Sequence, residues 1–363
     1  MDNNYMKLAI EIARQTIGQT APNPVVGCVI VKNGEIVGMG AHLKAGERHA
    51  ERHALQVAQA NAKGATMYVT LEPCSHHGRT PPCADAVIEA GVSKVVIAST
   101  DPNPEVSGKG INKLKNAGID VEVGVMKEEA DELNDVFFHY MTTSTPYVTL
   151  KMATSIDGKI ATSTGESQWI TGEEARNDVH QLRHEHDAIL VGVDTVIQDD
   201  PSLTTRLANG GKNPIRIVLD RKLRTPLEAK IVTDQKAPTW IVTTALADKQ
   251  RKEEFEALGI GIIVIENEDI SIPSLLIALF NKKITSILVE GGGNVNDSFL
   301  RSGYFQRVIK YMAPILIGGE SARSSFSGEG ITHLQEAPRL QLKSMKQIGN
   351  DTKFIFHKSK EGE

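Results

Sequence analysis

The stretch His49-Ala-Glu51, followed by two Pro-Cys pairs that end at Cys74 and Cys83, decides how the first part of the chain is interpreted. Proteins bind zinc through histidine nitrogens and cysteine thiolates, and a site with three protein ligands leaves the fourth position for water. The metal lowers the pKa of that water from ~16 to ~7. A glutamate in the first turn of the same helix can take a proton from water and give it to a leaving amine. The pattern therefore predicts a hydrolytic zinc site.

The pattern matches the signature H-x-E … P-C-x-x-C of zinc nucleobase deaminases, in which the glutamate is the acid/base and not a ligand. It departs from the signature because eight residues, Ser75–Pro82, separate the cysteines instead of two. Helices are expected to begin at His49 and Cys83, where the positive end of the helix dipole favours a thiolate. The alternative is a pair of core thiols and a hydrogen-bonded core histidine. The order of the four residues, and the proline before each cysteine, favour the metal site.

The insert between the cysteines, SHHGRTPP at residues 75–82, carries two histidines and an arginine. It lies at the mouth of the expected zinc site. Two interpretations remain open: a solvated loop, or a segment that contacts a charged group of the substrate.

Composition favours a cytoplasmic protein that does not bind nucleic acid or membranes. The formal net charge is −5, whereas a general nucleic-acid binder usually carries a basic face. Three cysteines are too few for a disulfide framework and fit a reducing compartment. Cys28, inside a run of valines and isoleucines, is expected to be a small buried residue and not a ligand. We expect no signal peptide and no membrane span, because neither pattern is recognised in the sequence.

The pattern of apolar residues predicts two α/β domains within the 363 residues. A helix, a hairpin around Asn33-Gly34 and alternating helices and strands predict one sheet with helices on both faces. The pattern restarts near residues 142–146. A second series of apolar strands then follows, with a helix opened by the capping box Thr171-Gly-Glu-Glu174. The predicted domains are residues 1–144 and 145–363.

Three features of the second domain indicate a binding site. The strand Ser286–Glu290 leads into the glycine loop Gly291–Asp297 and then a helix at Ser298–Arg301, an arrangement that is either a phosphate cradle or a plain tight turn. Trp169 stands beside small hydroxyl residues and is most simply a core tryptophan. Arg183 and Arg206 are each ordinary surface arginines when taken alone, but as a pair they could hold a sugar phosphate.

Taken together, the chain resembles the bacterial bifunctional deaminase/reductase family of riboflavin biosynthesis. The resemblance covers nearly the whole length, and the wide spacing of the cysteines is similar to this family's own pattern. It is carried, in order, by the motifs TAPNPVVGCVIVKNGEIVGMGAH, HAERHA, YVTLEPCSHHGRTPPC, DPNP, YVTLKMATSIDGKIAT, SQWIT, ILVGVDTV, DDPSLTTR, VEGGG and APILIGG.

For residues 1–144, the resemblance implies a cytidine-deaminase-like α/β/α domain. This domain would remove the ring amino group of 2,5-diamino-6-ribosylamino-4(3H)-pyrimidinone 5′-phosphate. One Zn²⁺ would be held by His49, Cys74 and Cys83, with Glu51 as the catalytic proton shuttle. The residues expected to bind the substrate are Asn23, His42, His76, Arg79, Asp101 and Asn103.

For residues 145–363, the resemblance implies a dihydrofolate-reductase-like α/β domain that uses NADPH to reduce the ribosyl group to ribityl. Hydride transfer requires alignment of the nicotinamide with the C1 carbon of the opened sugar, so the protein mainly supplies positioning. The residues expected to contact the cofactor are Ala153, Trp169, Thr195, Asp199, Gly292, Gly293, Asn294, Val295 and Asn296. The residues expected to contact the substrate are Lys151, Ser167, Arg183, Leu203, Arg206 and Glu290.

Two other functions are compatible with parts of the sequence. One is a free-nucleotide or tRNA zinc deaminase with an unrelated nucleotide-binding second domain, against which the acidic balance and the long insert both count. The other is a non-enzymatic zinc-stabilised binding module, although structural zinc sites normally have four protein ligands. The expected partner is a small phosphorylated pyrimidine, and the resemblance makes a homo-oligomer the expected assembly.

Overall fold

The computed structural model describes residues 2–75, 81–103 and 106–359. The chain divides into two compact units, Met1–Ser144 and Thr145–Glu363, here called the N-terminal unit and the C-terminal unit. The division falls within the stretch where the apolar pattern restarts. Over the described part of the chain, no helix combines the length and the apolar character needed to cross a membrane.

The N-terminal unit contains six helices and five strands in its described residues. In chain order these are α1 (Asp2–Arg14), β1 (Gly27–Lys32), β2 (Glu35–Ala41), α2 (Ala50–Ala58), β3 (Thr66–Leu71), α3 (Cys83–Glu89), β4 (Lys94–Ser99), α4 (Lys109–Asn116), β5 (Asp120–Val123), α5 (Lys127–Leu133) and α6 (Asp135–Thr143). A short 3-10 turn, Gln59–Ala62, continues α2.

The five strands form one sheet in the order β2-β1-β3-β4-β5. The predicted hairpin is confirmed: β1 and β2 pair antiparallel, and Asn33 and Gly34 both have positive φ, 53° and 84°, as a two-residue hairpin turn requires. β1 also pairs antiparallel with β3, whereas β3, β4 and β5 are parallel to one another. The carboxyl ends of β3 and β4 therefore lie at the same edge of the sheet.

Helices cover both faces of this sheet, as predicted. Alternate residues of a strand point to opposite faces, and β1 shows this directly. Cys28 and Ile30 pack with α2, α3 and α4, whereas Val29 and Val31 pack with α1 and α5. Cys28 is fully buried, so the prediction of a small core residue is confirmed.

The apolar periodicity over Lys127–Met141 predicts one closing helix, but the structure has two, because α5 ends at Leu133 and α6 begins at Asp135. The residue between them, Asn134, is buried. Its side-chain amide accepts from the Val25 backbone N–H at 2.9 Å and donates to the Val25 carbonyl at 2.9 Å. This long-range pairing bends the chain at a position where the apolar periodicity alone gives no sign of a break.

The C-terminal unit contains nine strands and six helices in its described residues. In chain order these are β6 (Tyr147–Thr154), α7 (Glu173–Glu185), β7 (Ala188–Gly192), α8 (Val193–Asp199), β8 (Ile215–Leu219), α9 (Lys230–Thr233), β9 (Thr239–Thr244), α10 (Lys249–Ala257), β10 (Gly261–Ile265), α11 (Ile272–Asn281), β11 (Ser286–Val289), α12 (Gly293–Ser302), β12 (Arg307–Met312), β13 (Leu340–Ile348) and β14 (Asp351–Lys358).

These strands form one sheet in the order β10-β9-β8-β7-β11-β6-β12-β14-β13. The first seven are parallel, and the hairpin β13–β14 adds to β12 antiparallel. Ile287 and Val289 of β11 pack on the face that α11 and α12 cover, whereas Leu288 packs beneath α7. Parallel strands buried on both faces explain why the sequence shows continuous apolar runs here.

Two local predictions in this unit are wrong. The N-cap of α7 is Gly172 and not Thr171, and no side chain caps it. Instead the Gly172 N–H donates to Asp351 Oδ2 at 2.7 Å, a residue far away in sequence. The helix predicted at Ser298–Arg301 begins at Gly293, so most of the predicted glycine loop is the first turn of α12.

Candidate active sites in the two units

Three elements of the N-terminal unit bring the predicted zinc ligands together. His49 is the N-cap of α2, Cys83 is the first residue of α3, and Cys74 lies three residues beyond β3. His49 Nδ1 is 3.5 Å from the Cys74 sulfur and 3.3 Å from the Cys83 sulfur. One nitrogen and two sulfurs within 4.8 Å of one another fit a metal that accepts both donor types in a tetrahedral site.

The protonation states of Cys74 and Cys83 favour the binding of a cation between them and His49. A hydrogen bond from the Cys83 thiol lowers the pKa of Cys74 to about 4, and the Cys83 backbone N–H also donates to the Cys74 sulfur at 3.3 Å. The same hydrogen bond, together with burial, raises the pKa of Cys83. The pair therefore holds one thiolate next to His49, and a bound cation would favour loss of the second proton.

Glu51 lies in the first turn of α2 and is 3 % exposed. Burial raises the pKa of its carboxyl to about 7, and the neighbouring Cys74 adds to this effect. A carboxyl with this pKa can both accept and donate a proton near neutral pH. Glu51 thus combines two properties expected of an acid/base: a position beside the three candidate ligands and a balanced protonation equilibrium.

His42 and Asn23 form a second layer against His49. The ring of His42 meets that of His49 edge to face, with centroids 5.2 Å apart. His42 Nδ1 lies 3.2 Å from the Arg48 carbonyl, so this nitrogen carries the hydrogen and Nε2 accepts from the Asn23 amide at 3.1 Å. Burial lowers the pKa of His42, which agrees with a neutral ring. Asn23 and His42 therefore act as one hydrogen-bonded unit.

The other predicted substrate residues of the N-terminal unit lie after β4 or in the insert. Asp101 Oδ1 accepts from the Asn103 backbone N–H at 2.9 Å and so closes a turn. The Asp101 backbone N–H points to the buried carboxylate of Glu72. The remaining two, His76 and Arg79, lie outside the described residues.

The C-terminal unit contains a cavity of about 840 Å³. A volume of this size accommodates a drug-sized ligand. All six predicted substrate residues of this unit and five of the nine predicted cofactor residues line it. They are Lys151, Ser167, Arg183, Leu203, Arg206 and Glu290, and Ala153, Trp169, Thr195, Asp199 and Asn296.

Glu290 organises the charges in this cavity. Its carboxylate accepts two hydrogen bonds from the Arg183 guanidinium, at 2.8 Å and 3.0 Å, and one from Lys151 Nζ at 3.5 Å. Burial disfavours the charged carboxylate, but Arg183 and Lys151 outweigh this effect and lower the pKa of Glu290 to about 2. The three side chains thus form a buried ionic cluster with a net positive charge.

The start of α12 lies beside the cavity: Gly291 and Asn296 line it, whereas the predicted cofactor residues Gly292, Gly293, Asn294 and Val295 are not among its lining residues. A Cβ at Gly293 would lie 2.4 Å from Ser327 Oγ and 2.7 Å from the Ser324 carbonyl, so no side chain fits there. A Cβ at Gly292 would meet only Thr195 Oγ1, at 4.0 Å. The first N–H groups of a helix have no partner within the helix and attract anions. The space that a side chain at Gly292 would occupy is open, so the chain leaves room for a ligand beside this helix start.

Trp169 is not the core residue that its sequence context suggested, because 68 % of its surface is exposed. Its ring lies on the guanidinium of Arg176, 4.6 Å from centroid to carbon. Sequence analysis missed Arg176 and also His180, both of which line the cavity. They lie four residues apart on α7, and Arg183 follows three residues later, so helical spacing from Arg183 would have indicated the whole face.

Comparisons with known proteins agree with this geometry in both units. A family model described as the cytidine and deoxycytidylate deaminase zinc-binding region matches residues 1–99, and one described as the RibD C-terminal domain matches residues 146–354. The riboflavin biosynthesis protein RibD of Bacillus amyloliquefaciens is 52% identical over 354 residues, 98% of this chain and 95% of that protein. The chain belongs to the RibD family.

Other RibD proteins support this assignment. The riboflavin biosynthesis protein RibD of Aquifex aeolicus is 46% identical over 98% of both chains. The solved structure of Acinetobacter baumannii RibD superposes with a TM-score of 0.89 at 41% identity and 99% coverage of each chain. A diaminohydroxyphosphoribosylaminopyrimidine deaminase/5-amino-6-(5-phosphoribosylamino)uracil reductase from Thermotoga maritima has a TM-score of 0.87 at 36% identity, again with 99% coverage of each chain.

RibD membership confirms the predicted family, fold class and general function. The chain is a bifunctional deaminase/reductase of riboflavin biosynthesis, with a cytidine-deaminase-like domain followed by a RibD reductase domain. The alternative of a nucleotide or tRNA deaminase with an unrelated second domain is not favoured, because the reductase model covers residues 146–354.

Proposed function

We propose that the N-terminal unit is a zinc hydrolase that deaminates 2,5-diamino-6-ribosylamino-4(3H)-pyrimidinone 5′-phosphate. We further propose that the C-terminal unit reduces the ribosyl side chain of the product with NADPH, giving 5-amino-6-ribitylaminouracil 5′-phosphate. The observation that carries the first step is the convergence of one histidine nitrogen and two cysteine sulfurs within 4.8 Å, next to a buried glutamate.

His49, Cys74 and Cys83 would hold one Zn²⁺ per chain. When bound, such an ion acts as a Lewis acid that makes water a nucleophile at neutral pH. Glu51, in the first turn of the helix that begins after His49, is the proposed proton shuttle between the attacking water and the leaving amine. Its burial excludes bulk solvent from that transfer.

The pyrimidine would be held by the hydrogen-bonding groups around the metal centre. Asn23 and His42 form one rigid pair next to His49, and Asp101 and Asn103 form a closed turn after β4. Two further proposed substrate residues are the insert residues His76 and Arg79. An arginine is well suited to bind the 5′-phosphate bidentately.

In the C-terminal unit, the cavity next to the α12 N-terminus is the proposed NADPH site. The pyrophosphate would approach the helix start at Gly292, Gly293, Asn294, Val295 and Asn296, where open space lies in front of Gly292. Ala153, Trp169, Thr195 and Asp199 are the other proposed cofactor contacts. NADPH supplies the hydride when bound, and the chain supplies the alignment.

The substrate of the reduction would lie against the ionic cluster. Glu290 orients Lys151 and Arg183, and these two cations with Arg206 are suited to a phosphorylated sugar. Ser167 and Leu203 complete the proposed substrate wall. The net charge of the protein is −5. The proposed affinity for a small phosphorylated pyrimidine therefore depends on these local cations and not on the overall charge.

The proposed partner is this small substrate, and neither nucleic acid nor membrane. The sparse cysteines fit a cytoplasmic location. We also propose a homo-oligomer, supported by the edge strand β13. Leu340, Leu342 and Met345 on this strand are all exposed, Met345 at 65 %, and exposed apolar edge strands readily pair with another chain.

Glu51→Ala tests the proposal that the N-terminal unit carries out the deamination and the C-terminal unit the reduction. Ammonia release from the diaminopyrimidine should fall by ~100-fold or more, while NADPH oxidation with pre-deaminated substrate should stay at the wild-type rate. Glu11→Ala, an exposed carboxylate in α1, serves as the matched control and should change neither. Loss of both activities in a folded Glu51→Ala protein, or loss of neither, would contradict the proposal. Zinc analysis of the wild type should give one ion per chain.

A further inference from the structure

Glu72 is a buried carboxylate, 4 % exposed, that receives four backbone N–H groups. Its Oε1 accepts from Gly110 at 2.9 Å and from Ile111 at 3.2 Å. Its Oε2 accepts from Gly108 at 3.0 Å and from Asp101 at 3.4 Å. The four donors use both oxygens of the carboxylate.

These hydrogen bonds connect two parts of the candidate deaminase site. Glu72 directly follows β3 and precedes the candidate ligand Cys74 by two residues. Its own N–H donates to the Ser99 carbonyl at the end of β4, at 2.9 Å. Of the four donors, Asp101 and Gly108 lie between β4 and α4, and Gly110 and Ile111 lie in the first turn of α4. One side chain therefore ties the segment that carries a zinc ligand to the segment that carries Asp101 and Asn103.

The bonding pattern requires a carboxylate. The N-cap of α4 is Gly108, which has no side chain to satisfy the first N–H groups of the helix, and Glu72 does so from the loop that follows β3. Hydrogen bonds to an ionised acceptor are about twice as strong as neutral ones, and a helix N-terminus favours a negative charge. None of the ion pairs among the described residues includes Glu72. An isosteric amide would point its own N–H groups at two of the donors.

The backbone on either side of this carboxylate is in close contact. A Cβ at Gly110 would lie 2.0 Å from the Pro73 carbonyl oxygen. A side chain at Gly110 would therefore force the strand exit and the start of α4 apart. The same Cβ would lie 3.2 Å from Glu72 Oε1, so the close approach at Gly110 restrains these two segments together with the carboxylate.

We propose that Glu72 is a positioning residue of the deaminase, which sets the turn at Asp101 and Asn103 at a fixed distance from the zinc ligand Cys74. The inference rests on the substrate-binding roles proposed above for Asp101 and Asn103. Glu72 itself contacts no substrate atom in this arrangement. It acts by fixing the residues that do.

The test compares Glu72→Gln with Glu122→Gln in the full-length protein. Glu122 is a partly exposed carboxylate of β5 paired with Lys94, so it controls for the chemical change alone. Glu72→Gln should raise the KM for the diaminopyrimidine by on the order of tenfold, the loss expected for hydrogen bonds to a charged acceptor. Its kcat should stay within about threefold of wild type, with one zinc per chain. Reductase kinetics with pre-deaminated substrate should not change.

A second measurement separates this inference from the proposed function. Amide hydrogen exchange in peptides covering residues 106–116 should be faster in Glu72→Gln than in Glu122→Gln, whatever the substrate is. Gly110→Ala should raise the same KM, because its methyl group would crowd both the Pro73 carbonyl and the Glu72 carboxylate. If faster exchange is accompanied by an unchanged KM in an active variant, or if zinc is lost, Glu72 is not a positioning residue for substrate. Failure of the wild type to deaminate the diaminopyrimidine would instead overturn the proposed substrate.

Discussion

Glu290 is a largely buried carboxylate that pairs with two of the cations lining the cavity. Its side chain is 10 % exposed, and those of Lys151 and Arg183 are 14 % and 12 % exposed. Removal of one partner from a buried ion pair leaves an uncompensated charge, which typically costs ~3–5 kcal/mol. We therefore expect Glu290→Gln to destabilise the C-terminal unit by about that amount at neutral pH, measured by urea unfolding. Glu228→Gln, an exposed position, should have no comparable effect.

The lowered pKa of Glu290 predicts that the free energy of unfolding depends on pH, and in which direction. The pKa of Glu290 is lowered from 4.5 to about 2 in the folded protein, so between these values the unfolded chain binds more protons. The stabilisation is fully present above pH 4.5 and is lost as the pH falls toward 2. It amounts to ~3 kcal/mol. The difference in unfolding free energy between wild type and Glu290→Gln should therefore shrink between pH 5 and pH 3, and a constant difference would refute this account of the cluster.

The proposal that cofactor phosphates approach the start of α12 can be tested at two neighbouring glycines with different surroundings. At Gly292 a methyl group enters only open space near Thr195, and the backbone there is extended, with φ −70° and ψ 176°. Gly292→Ala should therefore leave the melting temperature unchanged. It should raise the KM for NADPH about tenfold if the cofactor phosphates approach these N–H groups, and an unchanged KM would place them elsewhere.

Gly293→Ala is the matched contrast. Its methyl group would collide with the Ser324 carbonyl, and such overpacking typically costs ~1–3 kcal/mol. We expect a lower melting temperature for this variant. If Gly293→Ala is as stable as Gly292→Ala, the Ser324–Ser327 turn moves to accommodate the methyl group at little energetic cost.

Strands were easier to predict from the sequence than helix ends and loops. The sequence predicts strands at Thr66–Leu71, Lys94–Ser99, Ile215–Leu219 and Gly261–Ile265, and the structure has strands with these bounds. All four are short apolar runs between turn residues, and the first three are largely buried on both faces. The ends of α5 and α7 depend on hydrogen bonds that Asn134 and Asp351 accept from residues over a hundred positions away. No local pattern encodes such partners.

In the candidate sites, too, the residues with a local sequence pattern were predicted and those that depend on distant partners were not. His49, Glu51, Cys74 and Cys83 were predicted because zinc chemistry restricts ligands to a few residue types at helix starts and strand ends. Glu72 lies within the motif YVTLEPCSHHGRTPPC, but the sequence does not indicate its role, because a glutamate that caps a distant helix looks like any other glutamate in sequence. Trp169 was placed in the core for a similar reason, since the cation that it stacks on, Arg176, is supplied by the next helix.

Each of the two units has its own hydrophobic core. The clusters of the N-terminal unit draw only on residues before Ser144, and those of the C-terminal unit only on residues after it. Both proposed ligands also bind within single units. Ligand binding stabilises the folded state to which it is linked, so zinc and NADPH should each act on the unfolding of one unit.

The distribution of tryptophan makes this separation measurable in the intact chain. Both tryptophans, Trp169 and Trp240, belong to the C-terminal unit, so tryptophan fluorescence follows that unit alone, whereas calorimetry follows both. Removal of zinc with a chelator should lower the unfolding temperature of one calorimetric transition and leave the fluorescence transition in place. NADPH at 100 times its Kd should stabilise the C-terminal unit by ~2.7 kcal/mol and raise the fluorescence transition by about 5–10 °C, with the other transition unchanged. A fluorescence transition that shifts with the chelator would show that the two units unfold as one cooperative body.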